Sequence, residues 1–198
     1  MQSGLVYILQ SLIDLYLITF VLRLGMQWVR ADFRNPIVQF VLTVTNPLVL
    51  PVRKFVPPIY KIDTATLIIF LLLQWAAVSI LTALTCAVNP DVLSILALAL
   101  IRGLRLIFNV YFFVCFGYVL LSWIGQGGYN PSLAMLSNLL GQLAEPVLAP
   151  FRRYIPPIGG LDLSPIFLLL LLGAVTRMLY GPAQSVAGGF LCPLGAIL

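Results

Sequence analysis

The chain alternates long apolar runs with short polar segments rich in proline. The apolar runs cover residues 5–29, 63–88, 92–124 and 163–180. A helix needs about 20 apolar residues to cross a hydrocarbon core of about 30 Å, so the pattern predicts four transmembrane helices. The first run is longer than a signal-peptide core, lacks a basic residue before it and lacks a small-residue cleavage site after it, so it predicts a retained helix. The third run is roughly 50 Å long as a helix. Arg102 and Arg105 are therefore expected where that run enters the membrane, with its first three turns outside. Residues 181–198 are apolar but broken by Gly188, Gly189 and Pro193, and they predict a tail that is interfacial or packed against the bundle, not a fifth span.

The segments between the runs are too apolar to be free loops. In residues 30–62, Asn35-Pro36 and Asn46-Pro47 each look like a helix N-cap followed by the one helical position where proline costs nothing. Because Pro51 falls inside the second piece, that piece is expected to be a helix of two turns at most. Arg53 and Lys54 would lie in its last turn, where the helix dipole favours positive charge, and Pro57-Pro58 would end it. Such a piece fits the membrane interface, with its apolar side down and its basic pair among headgroups.

The same pattern occurs twice. Pro47, Pro51, Arg53, Pro57, Pro58, Ile59 and Asp63 align without gaps with Pro146, Pro150, Arg152, Pro156, Pro157, Ile158 and Asp162, and Lys54 aligns with Arg153. Trp28 precedes Asn35-Pro36 by the same interval that separates Trp123 from Asn130-Pro131. An internal duplication follows. The fold class it predicts is an all-α membrane protein, one domain over residues 1–198, whose four transmembrane helices form tandem repeats over 5–88 and 92–180. Each repeat holds two spans, so both copies insert the same way and the pseudo-twofold axis lies along the membrane normal.

Composition agrees with a membrane protein. The chain is 61% hydrophobic and 9% charged, with a mean hydropathy of +1.07, against about 25% charged residues in soluble domains. The net charge of +5 comes mainly from the connectors, so it points to orientation in an anionic membrane and not to nucleic acid. The positive-inside rule puts both connectors in the cytoplasm and both termini on the other side. There is no histidine, and the three cysteines show no metal or haem spacing. Cys86 and Cys115 lie in apolar runs, where a thiol serves as a small hydrophobe. With no acid–base pair and no nucleophile beside a base, the sequence predicts no enzyme, no metal and no cofactor. The expected partners are anionic lipid headgroups and a second membrane protein or second copy, because two short repeats bury little on their own.

Three groups of residues are candidates for a site. Arg53, Lys54, Arg152 and Arg153 are read as lipid anchors, or alternatively as a docking surface for a partner or a specific phospholipid. Asp63 and Asp162 are read as helix caps, with an Arg–Asp contact as the alternative. Asp14, Asn109 and Arg177 are polar positions inside the membrane, Asn109 being the counterpart of Asp14 in the second repeat. An ionised Asp at a helix centre costs about 2.5–3.5 kcal/mol on insertion scales and calls for a partner or a watery cavity. Height along the helices predicts Arg177 as that partner. Tyr16, Arg23, Gln27 and Arg30 share one face of the first helix.

The doubled P-x-x-x-P-x-R-[KR]-x-x-P-P motif, followed by D-x-[AS] and an apolar helix, resembles the YggT family of small bacterial membrane proteins and their chloroplast relatives. The first copy departs from the family pattern, with Tyr60-Lys61 where Gly-Gly is usual and Asp63-Thr64-Ala65-Thr66 where D-x-S-P is usual. The resemblance implies a multi-pass protein of the bacterial inner membrane, whose termini the charge count places in the periplasm. For function it implies osmotic-stress tolerance or ion uptake on one side, and assembly roles such as cytochrome haem attachment or nucleoid organisation on the other. The reading favoured here is a non-catalytic inner-membrane scaffold or assembly factor; the alternative is an ion-uptake or osmotic-stress protein.

Overall fold

The computed structural model describes residues 2–59, 63–88, 90–124, 131–154 and 164–190. Helices account for nearly all of them: α1 (Gln2–Trp28), α2 (Pro36–Arg53), α3 (Thr64–Thr85), α4 (Val92–Ile124), α5 (Pro131–Tyr154), α6 (Ser164–Met178) and α7 (Tyr180–Gly188). Five segments are long and apolar enough to cross a membrane: Gly4–Trp28, Pro36–Arg53, Thr64–Thr85, Val92–Ser122 and Ser164–Gly188. The chain is a multi-pass helical membrane protein.

The segment beyond the four predicted by hydropathy is α2, which is one helix where the prolines predicted two short pieces. Asn35 caps it, its side-chain oxygen accepting from the Ile37 amide at 2.9 Å. Asn46 is an interior residue and caps nothing. The reason lies in the faces. Val38, Val41, Thr45 and Val49 form the buried stripe, while Pro47 and Pro51 are exposed on the other side. Each proline deprives the carbonyl four residues earlier of its donor. Those carbonyls, on Thr43 and Pro47, also belong to exposed residues, so no polar group is stranded in the core. α5 repeats the arrangement, with Pro146 and Pro150 exposed and Leu139, Leu143, Ala144 and Leu148 buried.

Packing follows the same pattern twice. α1, α2 and α3 pack on one another, as do α4, α5 and α6, and α4 joins the two groups by packing on α1 and α3. The main core includes Phe20, Phe70, Val110, Leu148 and Leu168. A smaller cluster joins Val78 of α3, Leu98 and Ala99 of α4, and Ala183 and Ala187 of α7.

That smaller cluster corrects one expectation and, for the described part of the tail, selects between two alternatives. The early turns of α4 do not project from the protein, because Leu98 and Ala99 are buried there, and Arg102 and Arg105 are buried with them. Within the described residues the tail begins as α7, packed on α4 and α6. Its remainder, 191–198, lies outside the described residues. One of the two cysteines also differs from expectation. Cys115 is a buried free thiol, but Cys86, just past the end of α3, is disulfide-bonded.

Candidate functional site

Two polar clusters sit among these helices, and both begin on α1. The first ties α1, α3 and α4 together. Arg102 donates through Nη2 to Asp14 Oδ1 and through Nη1 to Gln74 Oε1 at 2.6 Å. Arg102 and Gln74 are fully buried, whereas the Asp14 side chain keeps 29% of its exposure. One turn further along α4, Arg105 lies over the Tyr180 ring, 4.1 Å from its centroid, and donates to the Tyr180 hydroxyl at 2.8 Å. That contact ties α7 to α4.

This cluster overturns the pairing of Asp14 with Arg177. Arg177 is exposed on α6, and the partner of Asp14 is Arg102. Height along the helices is a sound guide, but a position for Arg102 at the membrane entry leaves it out of the comparison. With the first turns of α4 packed in the bundle, Arg102 falls at the level of Asp14. Asn109 is half-buried two turns further along α4 and does not join the cluster.

The second cluster lies where α1, α2 and α3 meet. Arg23 is 2% exposed and donates through Nη1 to Thr45 Oγ1 at 2.6 Å and to Asn46 Oδ1 at 2.9 Å. Asp63, 3% exposed, occupies the N-cap position of α3 without capping it. Its Oδ2 accepts instead from Gln27 Nε2 at 3.0 Å and from Thr66 Oγ1 at 2.8 Å. The same oxygen lies 3.9 Å from both Arg23 Nε and Arg53 Nη2. Thr64 Oγ1 donates to the Pro57 carbonyl at 2.7 Å, so the end of the proline segment is tied to the start of α3. Burial alone would raise the Asp63 pKa. The hydrogen bonds from Gln27 and Thr66 and the charges of Arg53 and Arg23 outweigh it and hold the carboxyl below the usual range.

The end of α1 brings one more arginine to this place. Ala31 N donates to Met26 O at 2.9 Å and Arg30 N to Gln27 O at 3.2 Å, a Schellman closure with Arg30 at the left-handed position, φ 54°. Glycine is the usual residue there, and another residue costs about 1–2 kcal/mol. Arg23, Gln27, Arg30, Asn46, Arg53 and Asp63 border an open cavity of about 550 Å³.

Among the described residues, the contacts of the other predicted ones do not assemble a further site. Lys54 and Arg153 are exposed, and Arg152 donates to Glu145 Oε2 at 2.7 Å in an ion pair open to solvent. Asp162 lies outside the described residues. Sequence reasoning missed Arg102, Gln74, Thr45, Asn46 and Thr66 as partners. The shared face of Arg23, Gln27 and Arg30 was the signal for the second cluster. Among the described residues, no three His, Cys, Asp or Glu side chains come together as a metal site would need.

Comparisons with known proteins agree in kind. The family described as CCB3/YggT matches residues 2–84 and 97–183. An uncharacterized protein of Pseudomonas aeruginosa is 37% identical over 95% of this chain and 94% of its own length. The uncharacterized protein YggT of Escherichia coli K12 is 33% identical over 97% of both chains. A chloroplastic YlmG homolog of Arabidopsis thaliana is 37% identical over 42% of this chain and 31% of its own. No solved structure matches significantly.

Proposed function

The chain belongs to the CCB3/YggT family, and from that membership we propose that it is a non-catalytic scaffold or assembly factor of the bacterial cytoplasmic membrane. One observation carries the reading. Asp14, the acid that would mark an ion path, is bonded to Arg102, which also holds Gln74, so the charge inside the bundle ties three helices together. A carboxylate held this way has a structural use for its charge. Ion flux through proteoliposomes is the test. No flux above empty liposomes is expected, and flux that disappears in Asp14→Asn would overturn the reading.

Ion uptake is the second reading, and a specific observation favours it. The Asp14 side chain is partly accessible, and the buried atoms Gln10 Oε1 and Gln74 Nε2 have no hydrogen-bond partner. Polar atoms in that state invite water. The same flux measurement decides between the two readings.

The fold reading proposed with this function is two tandem repeats in parallel, each with its amphipathic connector (α2 or α5) at the cytoplasmic interface. The twofold match to one family and the repeated packing of α1–α3 and α4–α6 support it. Orientation draws on two features. Arg30, Arg34, Arg53 and Lys54 flank α2, and burial of Arg102 and Arg105 removes basic charge from the opposite surface. Disulfide-bonded Cys86 stands at that opposite end of α3, as suits the oxidising side of the membrane. Phosphatase fusions after Arg34 and after Val56 are both expected to be silent, and a fusion after Val88 to be active. Unlike readings on the two sides of α2 would mean that α2 crosses the membrane. A silent Val88 fusion would reverse the orientation.

A further inference from the structure

The cavity at the turn from α1 into α2 is bordered by three guanidinium groups (Arg23, Arg30 and Arg53) against one carboxylate, Asp63. With three cationic residues against one acid, the occupant must be an anion. Phe33, Leu42 and Leu50 form the apolar part of the wall, and Phe33 and Leu50 are exposed. The occupant is therefore an amphiphile. We propose that this cavity binds the phosphodiester headgroup of an anionic phospholipid of the phosphatidylglycerol type.

The chemistry divides simply. The phosphodiester oxygens meet Arg30 and Arg53, and the acyl chains leave past Phe33 and Leu50. Arginine suits phosphate because its planar fork can meet two oxygens at once. An ethanolamine head would bring an ammonium group among three guanidinium groups and is disfavoured.

Comparison of the two repeats supports a built site. Gly125 follows Trp123 by two residues, as Arg30 follows Trp28. The second repeat thus has the residue that a left-handed turn prefers, and the first has a cation there at a conformational cost. The counterpart of Arg23 is Tyr118, and the counterpart of Asn46 is Glu145, whose carboxylate already takes Arg152. The excess positive charge belongs to the first repeat alone.

Binding of phosphatidylglycerol, phosphatidylethanolamine and inorganic phosphate to the detergent-purified full chain, followed by native mass spectrometry with melting temperature in parallel, tests the proposal. One phosphatidylglycerol per chain is expected to bind at least about fivefold more tightly than phosphatidylethanolamine, and inorganic phosphate is not expected to displace it. Arg30→Gly and Arg53→Gln should each weaken binding about fivefold. Arg30→Gly should melt at the same temperature or higher, because it relieves the left-handed arginine. That separates loss of the site from loss of the fold. Arg152→Gln should leave affinity unchanged. Unaltered binding by Arg30→Gly, equal weakening by Arg152→Gln, or equal affinity for phosphatidylethanolamine would overturn the proposal. Displacement by inorganic phosphate would reassign the cavity to a soluble phosphate and overturn the lipid.

Discussion

Replacing Asp14 by leucine is expected to lower stability in detergent by about 3–5 kcal/mol, the usual cost of removing one partner of a buried ion pair. Arg102→Leu should cost less. The asymmetry comes from what each change leaves behind. Without Asp14, the buried Arg102 keeps a charge it cannot lose at any accessible pH, with Gln74 Oε1 as its remaining acceptor. Without Arg102, Asp14 can take up a proton or turn to water through its partly exposed edge. The double variant should lose less than the sum of the single losses, because neither charge is then stranded. Arg177→Leu should be nearly silent, since Arg177 is exposed on α6. Chemical denaturation of the four variants measures all of this. Additive losses for Asp14→Leu and Arg102→Leu would show that the contact contributes no coupling.

Hydropathy made the helical class and the membrane legible, because those depend on the number and period of apolar residues. Local chemistry misled at α2. Pro47 and Pro51 look like breakers in one dimension, yet both fall on the outer face of a helix held by Val38, Val41 and Val49. A proline tolerated because its freed carbonyl points outward looks the same in sequence as one that ends a helix. Arg102 shows the limit for charges. A basic residue near the start of a long apolar run fits an interfacial anchor or a buried partner equally well, and only the packing of Leu98 and Ala99 against α7 decides. Asp63 was legible as half of an Arg–Asp contact, but the hydrogen bonds that hold it come from Gln27, 36 positions earlier, and from Thr66. Long-range pairing of that kind leaves no period to read.

The two halves of the chain pack alike but differ in their polar residues. The first uses Arg23, Asn46 and Asp63 to join three helices; the second has Tyr118 and Glu145 at the positions aligned with Arg23 and Asn46, and keeps an aspartate, Asp162, at the position aligned with Asp63. Tyr118 packs its ring where a Cβ on Gly141 would stand, 3.1 Å away, so that α4 and α5 approach through a glycine where α1 and α2 meet through a guanidinium. Among the described residues, α4 thus closes on α5 by packing at this level, whereas α1 closes on α2 and α3 through charge. That charged joint should be sensitive to pH.

Asp63→Asn is the variant that exposes this dependence. An amide oxygen can still accept from Gln27 and Thr66, so the change removes the charge that Arg23 and Arg53 face and little else. Arg23 is then a buried cation without a counter-ion, and a loss of about 3 kcal/mol at neutral pH is expected, the low end for a broken buried pair because the separation is 3.9 Å. Acid supplies the second measurement. The folded Asp63 carboxyl titrates below its unfolded value, which is about 3.9. Its contribution to stability is therefore complete above about pH 4 and is lost as pH falls through the lower, folded value. Melting temperature of the parent should be insensitive to this group from neutral pH down to about 4 and then fall. The difference between parent and Asp63→Asn should shrink over that acid range. Exposed Asp91, held low by its bond from Ser94, titrates alike in both proteins and cancels in the difference. A gap that stays constant to pH 2 would mean that the Asp63 charge does not hold α1, α2 and α3 together.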